Sequence, residues 1–348
     1  MPKNKPLRVG VVGCGVVAQG RHLPALSKIG GVEVAALCDR DEGLAKKVAG
    51  KFNVEKVYGD YSEMVKKENL DIVDICASAG VHAPMSIEAM NAGCHVLCEK
   101  PMAPSVKDAD EMINVAKKNN VKLSVVHSML FVPLLLKTRA MLNQGLLGTV
   151  TGVDIKLTWA KNVPDIPNKD HWYHKMPDGF FGEIMPHAIY ITGAFLGNLE
   201  VVAAHAKKLT SYEWIVADEL RVLLEGKNGL GTIGISCNWP QTKGFLDIYG
   251  TERNTRIDLF NWTMTQYGVR ELTNVTRVAE TTKQIAQQVS STAQAVFNVA
   301  SGRFTSGHDT LIRHYIKSIQ NDTEPPVTPD EGREVVRLEE EIIKKWKK

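Results

Sequence analysis

The chain has 348 residues, of which 44% are hydrophobic and 23% charged, with a formal net charge of +3. That length exceeds what one hydrophobic core usually organises, so two domains are expected. The charge balance is too even to recruit nucleic acid or an anionic membrane surface, and no apolar run approaches the ~18 residues that span a bilayer.

In chain order, Leu7–Val12 reads as a buried strand, followed by a helix from Val16 to Ile29 and a second strand at Val32–Cys38. Asp41–Lys51 is helical, Lys56–Tyr58 a short strand, and Ser62–Glu68 helical again. Asp71–Ala77 and Cys94–Cys98 are strands flanking a helix at His82–Ala92. Ser105–Asn119 is an amphipathic helix before a sixth strand at Lys122–His127. Strands joined by helical crossovers predict a doubly wound parallel sheet of α/β class, in the order 3-2-1-4-5-6. The first domain is expected to cover residues 1–128 and the second 129–348, with the C-terminal helices free to pack back on the first.

After a helix near Pro133–Asn143 the pattern changes to two-residue alternation. The runs are Thr149–Trp159, Leu199–Leu209, Ala217–Leu224, Gly231–Trp239, Phe245–Tyr249, Arg256–Leu259 and Thr263–Tyr267. They predict a large, mostly antiparallel open sheet, whose strands carry apolar residues on more than one face. A Thr/Gln/Ala/Ser-rich stretch from Val275 to Ala300 holds apolar residues at helical spacing and reads as an amphipathic helix. His308–Gln320 and Pro329–Trp346 close the chain as helices.

The six cysteines include no Cys-x-x-Cys pair and no metal-ligand spacing. Buried, reduced thiols in a cytoplasmic protein are expected, and Cys14 is read as a small side chain rather than a nucleophile. The basic start, Met1 to Pro6, lacks the apolar core and cleavage site of a signal peptide.

Two motifs carry chemistry. Gly13-Cys14-Gly15-Val16-Val17-Ala18 follows the first strand. Gly13 allows the tight turn, Gly15 admits a dinucleotide pyrophosphate, and Ala18 lets helix and strand pack closely. The helix opened by Val16 and Val17 offers free N–H groups to the phosphates. Asp39, at the end of the second strand, has the spacing of a carboxylate on ribose hydroxyls and favours NAD. Arg40 beside it leaves NADP possible, and a surface Asp-Arg pair at a turn is the bland alternative. Ala77, Ser78 and His82 follow the fourth strand and are candidates for the ribose–nicotinamide channel; a water-exposed His82 is equally compatible. The second motif, Glu99-Lys100-Pro101, ends the fifth strand where nicotinamide and substrate would meet.

These residues, in this order, resemble the Gfo/Idh/MocA family. The resemblance continues through Gly145–Gly148, Gly179–Gly197, Glu324–Thr328 and Asp330-Glu331-Gly332. It implies a nicotinamide-dependent oxidoreductase acting on sugars, cyclitols and derivatives, with the open sheet serving a homodimer or homotetramer. It implies cofactor contacts at Glu99 and Lys100, a cis Lys100–Pro101 bond, and a substrate-oxygen contact from Lys100. The family's second catalytic motif, Asp-x-x-x-His, matches Glu183 and His187. Three departures stand out: Glu183 for Asp, Phe180-Phe181 within a glycine run, and Leu130 where an arginine is common. The second is expected to put aromatic bulk near the site.

Oxidising a secondary alcohol requires a proton acceptor, for which His187 is the candidate. Lys100 would favour alkoxide character, while Glu183, one helical turn earlier, would orient the imidazole or bond a substrate hydroxyl. Trp172, His174 and Lys175 are candidates for a sugar-binding wall, or else belong to a loop folded over its own domain. His171, His174, Glu183 and His187 also resemble a metal set; no metal is expected, since the residues have a metal-free role and no cysteine joins them. Redox-neutral NAD-dependent glycoside cleavage or elimination, and a non-catalytic NAD(P)-binding sensor, remain alternatives on the same fold.

Overall fold

The computed structural model describes residues 5–160, 166–176, 179–268, 273–303 and 305–347, without the side chains of Trp172 and Lys175. The chain forms two compact units. Unit 1 joins Met1–Phe131 with Thr305–Arg337, and unit 2 joins Val132–Phe304 with Leu338–Lys348.

Unit 1 is built on six strands: β1 (Leu7–Val12), β2 (Val32–Cys38), β3 (Lys56–Tyr58), β4 (Ile72–Ile75), β5 (His95–Cys98) and β6 (Leu123–Val125). They pair in parallel in the order β3-β2-β1-β4-β5-β6. Crossovers include α1 (Leu23–Leu26), α2 (Glu42–Phe52), α3 (Tyr61–Lys67), α4 (His82–Asn91) and α5 (Val106–Lys118). Residue chemistry starts three of them: Asp41, Asp60 and Ser105 accept from backbone N–H groups three residues on, at 2.9, 2.8 and 3.2 Å.

The helix expected as one piece from Val16 to Ile29 instead passes through a π-turn at Ala18–His22 and stops at Leu26. Pro24 supplies the reason. It has no N–H, and its ring crowds the carbonyl four residues back, a conflict that a widened turn relieves.

Thr305–Arg337 completes unit 1. In the helix His308–Gln320, Leu311, Ile312 and Tyr315 are fully buried. The Tyr315 hydroxyl donates to the Lys122 carbonyl (3.2 Å), and Ser124 Oγ donates to the Val327 carbonyl (2.8 Å).

Unit 2 opens with α6 (Pro133–Asn143) and β7 (Val150–Ala160), then α7 (Phe181–Leu196). The strands β8 (Glu200–Lys207), β9 (Glu219–Glu225), β10 (Leu230–Trp239), β11 (Lys243–Gly250), β12 (Arg253–Asp258) and β13 (Thr263–Gly268) follow. The sheet order is β13-β12-β11-β7-β10-β9-β8; β7 and β10 pair in parallel and the other neighbours antiparallel. α8 (Asn274–Ala300) lies along the edge strand β13; α9 (His308–Gln320) and α10 (Pro329–Trp346) end the chain.

Val153, Ile155, Leu157, Ile233 and Ile235 are buried on the face that meets α7. The opposite face is more polar than the expected two-sided apolar sheet. A hollow of about 730 Å³ there is lined by Asp154, Lys156, Arg221, Thr232, Asp247 and Arg256, among others. Lys156 Nζ sits 3.9 Å from the Trp239 ring centroid, and Arg256 pairs with Asp247 at 2.6 Å.

Candidate active site

The glycine loop turns back at the C-terminal edge of the unit 1 sheet. Gly13 has φ +85°, and a Cβ there would lie 2.7 Å from the Cys76 backbone. A Cβ at Gly15 would meet nothing within 4 Å, and Val16 is 88% exposed. The loop thus needs glycine on its inner side and is open on its outer side, the geometry a pyrophosphate requires. Val17 is exposed, and Ala18 is fully buried beneath the loop.

Asp39 holds this loop as well as ending β2. Its Oδ2 accepts from the Cys14 N–H at 2.7 Å and its Oδ1 from the Asp41 N–H at 2.9 Å. Arg40 is exposed. Ala77 is half-buried and Ser78 exposed at the end of β4.

His82 is not the water-exposed residue of the alternative reading. It is 1% exposed, with Nδ1 2.8 Å from the Pro101 carbonyl and Nε2 3.0 Å from the Ala77 carbonyl. It therefore ties the end of β4 to the Lys100-Pro101 turn. Burial lowers its pKa.

The Lys100–Pro101 peptide is cis, and the Lys100 side chain is half-buried. Glu99, expected as a cofactor contact, points its carboxylate inward instead. Oε1 lies 2.9 Å from His22 Nε2 and 3.6 Å from His308 Nε2, while Oε2 accepts from the Lys100 N–H at 3.1 Å. Asp74, at 2.8 Å from His22 Nδ1, completes a buried row.

Burial disfavours charge on His22, but Asp74 overrides this and raises its pKa well above the ordinary value. Burial also opposes ionisation of Glu99, and hydrogen bonds from His22 and His308 override it, holding that carboxyl well below its usual range. A charged imidazolium between two carboxylates accounts for the geometry. Among the described residues, two donor groups lie close enough to share an ion, His22/Asp74/Cys76 and His22/Glu99/His308, and both centre on this histidine.

This row was missed in the sequence. The available signal was two histidines, His22 and His308, at positions otherwise suited to core residues.

In unit 2, α7 carries Glu183 in its first turn and His187 one turn later. From Phe181 to Tyr190 these are the two half-open positions; the others are buried. His187 Nδ1 lies 2.5 Å from the Tyr190 hydroxyl, a partner the sequence reading did not single out despite its i+3 spacing.

Phe180 and Phe181 are 7% and 0% exposed. They pack with Trp159, Tyr173 and Trp346, so the aromatic bulk expected near the site goes into the core of unit 2. Leu130 is likewise buried, in unit 1. Of the proposed sugar wall, His174 is half-buried with its ring centroid 4.4 Å from that of Tyr173; the side chains of Trp172 and Lys175 lie outside the described residues.

Residues 7–127 match the family described as "Oxidoreductase family, NAD-binding Rossmann fold", and residues 139–348 match its "C-terminal alpha/beta domain". The chain belongs to the Gfo/Idh/MocA oxidoreductase family. Among family relatives, dTDP-3,4-didehydro-2,6-dideoxy-alpha-D-glucose 3-reductase of Saccharopolyspora spinosa is 29% identical over 58% of this chain and 60% of its own. Inositol 2-dehydrogenase of Salmonella typhimurium is 33% identical over 34% of this chain and 35% of its own. Mouse trans-1,2-dihydrobenzene-1,2-diol dehydrogenase is 29% identical over 68% and 71%. The chain thus spans about 60% of the length of the first curated relatives it matches.

Family structures share the fold over nearly the whole chain. The WlbA dehydrogenase of Bordetella pertussis, solved with NADH and UDP-GlcNAcA, superposes with a TM-score of 0.83 at 20% identity, covering 99% of this chain and 96% of that one. KijD10 of Actinomadura kijaniata, a 3-ketoreductase solved with TDP-benzene and NADP, gives 0.74 at 19% identity, covering 98% of each chain.

Proposed function

We propose that the protein is an NAD(P)-dependent oxidoreductase moving hydride between nicotinamide and a secondary alcohol or ketone of a sugar, cyclitol or derivative. The observation that carries this reading is the glycine loop: closed by the Cys76 backbone on one side, open at Gly15 on the other, and fastened to Asp39. Those features suit a dinucleotide held by the loop and the helix start at Val16–Val17. The names of the relatives support the substrate class, since glucose, inositol and dihydrobenzenediol share oxygen substituents on a six-membered ring.

When bound, the nicotinamide supplies or accepts the hydride. The remaining work falls to the chain. Lys100 holds the substrate oxygen and stabilises negative charge on it. His187, its Nδ1 held by Tyr190, exchanges the proton at Nε2. Glu183, on the same face of α7, bonds a neighbouring substrate hydroxyl. Trp172, His174 and Lys175 contribute to the sugar wall.

The test is reduction of NAD or NADP across a panel of inositols, hexoses and nucleotide-linked sugars, followed by absorbance of the reduced cofactor. Turnover is expected with at least one member. Lys100→Ala and His187→Ala should each bind cofactor almost normally and lose turnover by ~10² or more. Near-normal turnover in either variant would remove that residue's role, and tight cofactor binding without turnover across the panel would favour a sensor.

A further inference from the structure

The long helix α8 is oriented opposite to the usual amphipathic helix. Its polar side faces its own unit. Gln287 Oε1 accepts from the Gln266 N–H (2.8 Å) and its Nε2 donates to the Gln266 carbonyl (2.9 Å), while Ser291 Oγ accepts from the Met264 N–H (2.9 Å). These contacts cap the outer edge of β13, which would otherwise offer unpaired backbone groups. The apolar side faces outward. Val275, Val278, Ile285, Val289, Val296, Phe297 and Val299 are 52–79% exposed.

The outward residues follow a coiled-coil repeat. Positions 275, 278, 282, 285, 289, 292, 296 and 299 alternate steps of three and four, and read Val-Val-Thr-Ile-Val-Thr-Val-Val. A parallel column at seven-residue spacing is alanine throughout: Ala279, Ala286, Ala293 and Ala300. Small residues beside the seam let two helices approach to the short end of the ~8–10 Å range. The Thr282 hydroxyl donates back to the Val278 carbonyl at 2.8 Å, so its own hydrogen bond is met within the helix.

We propose that α8 is a pairing helix that docks antiparallel on the α8 of a second copy of this chain. Three observations select that occupant. The steps of the seam are the same from either end and its residues match except at the central Ile-Val pair, so antiparallel pairing places Val275 by Val299, Val278 by Val296, Thr282 by Thr292 and Ile285 by Val289. Such self-complementarity is what a two-fold contact requires.

Charge agrees with this. The segment Gln284–Gly302 carries no Asp, Glu, Lys or Arg, so two copies meet there without like-charge repulsion. Antiparallel pairing also sets Arg277, Glu280 and Lys283 of one helix against the uncharged end of its mate. The exposed surface agrees as well. Seven large apolar side chains, each more than half exposed, lie along one face of α8, and a contiguous apolar patch of that extent is what marks an interaction surface.

The test uses the full chain. Ile285→Glu/Val289→Glu, at two exposed positions, should keep the wild-type circular dichroism and melting profile while halving the mass seen by light scattering. Co-expressed Val278→Cys and Val296→Cys chains should form a disulfide-linked pair under oxidation, and Val278→Cys alone should not. A monomeric wild type, an unchanged mass in the glutamate variant, or no link in the mixed sample would overturn the proposal. Linking of Val278→Cys to itself would overturn the antiparallel arrangement. Seam-dependent binding to phosphatidylcholine–phosphatidylserine vesicles with unchanged mass would assign the helix to a lipid surface instead.

Discussion

The Asp39 carboxylate accepts two backbone hydrogen bonds, from Cys14 and Asp41. Asp39→Ala should therefore loosen the glycine loop and weaken NAD binding by about tenfold or more, since hydrogen bonds to charged groups contribute ~1.5–3 kcal/mol. NADP binding should fall less, because the same change removes repulsion of a 2′-phosphate. Titration of both cofactors checks this; an unchanged ratio would assign the choice to Arg40.

Cys14, close by, is fully buried, and burial first, then Asp39, pushes its thiol to about 12. It should resist iodoacetamide at neutral pH in the native protein and react once unfolded, as read by mass spectrometry.

The buried histidines set the acid response. Burial drives the pKa of His127 down to about 3 and lowers those of His82 and His308. Between pH 6.5 and 3 the unfolded chain binds a proton that native His127 refuses, so stability falls as pH falls. His22 has the opposite sign: its contribution is complete below the unfolded value near 6.5 and is lost only as pH rises through its raised folded value. Glu99 contributes above ~4.3 and loses that contribution as pH falls through its depressed folded value. Urea midpoints should therefore drop from pH 7 to pH 5, and His127→Asn should flatten that slope. An unchanged slope would place the acid sensitivity elsewhere.

At the scale of elements, the π-turn and α10 show how single residues set packing. The π-turn carries His22 inward to meet Asp74 and Glu99. In α10, a Cβ on Gly332 would lie 2.5 Å from Val125 Cγ2 and 2.9 Å from Met102 Sδ. Helix propensity favours Gly332→Ala by up to ~1 kcal/mol, but overpacking typically costs ~1–3 kcal/mol. A net loss of stability is expected in urea titration; a gain would mean that Met102 and Val125 yield freely. Element existence was legible because capping residues and apolar periods act within a few positions, as at Asp41, Asp60 and Ser105. Ends shifted by a residue or two where a strand-like run outlasted its partner, as at Asp71–Ala77 against the observed Ile72–Ile75.

At the scale of the molecule, the seven-stranded sheet offers a broad outer face carrying both Asp154 and Asp247 and Lys156, Arg221 and Arg256. Mixed signs allow a second copy to pair there with little net repulsion, which supports the homodimer or homotetramer expected from the family resemblance. Light scattering at micromolar concentration should return twice or four times the chain mass. Arg221→Glu/Arg256→Glu, which makes the face predominantly acidic, should lower it. A monomeric wild type would remove both this face and α8 as interfaces.

The sequence by itself determined the six-stranded sheet and its order, the glycine loop with Asp39, and the pairing of Glu183 with His187 on one helix face. The first follows from the succession of strands and helical crossovers, the second from the Gly13-to-Asp39 spacing across one such unit, and the third from a single helix turn. Only the tertiary structure decided what Glu99 and His82 do, where Phe180 and Phe181 point, and which outer face of unit 2 is polar. Those outcomes rest on contacts between distant residues, such as His22 with Glu99, 77 positions apart, and Ser124 with Val327, 203 apart. Local periodicity describes which side of an element is apolar; chain return decides what that side meets.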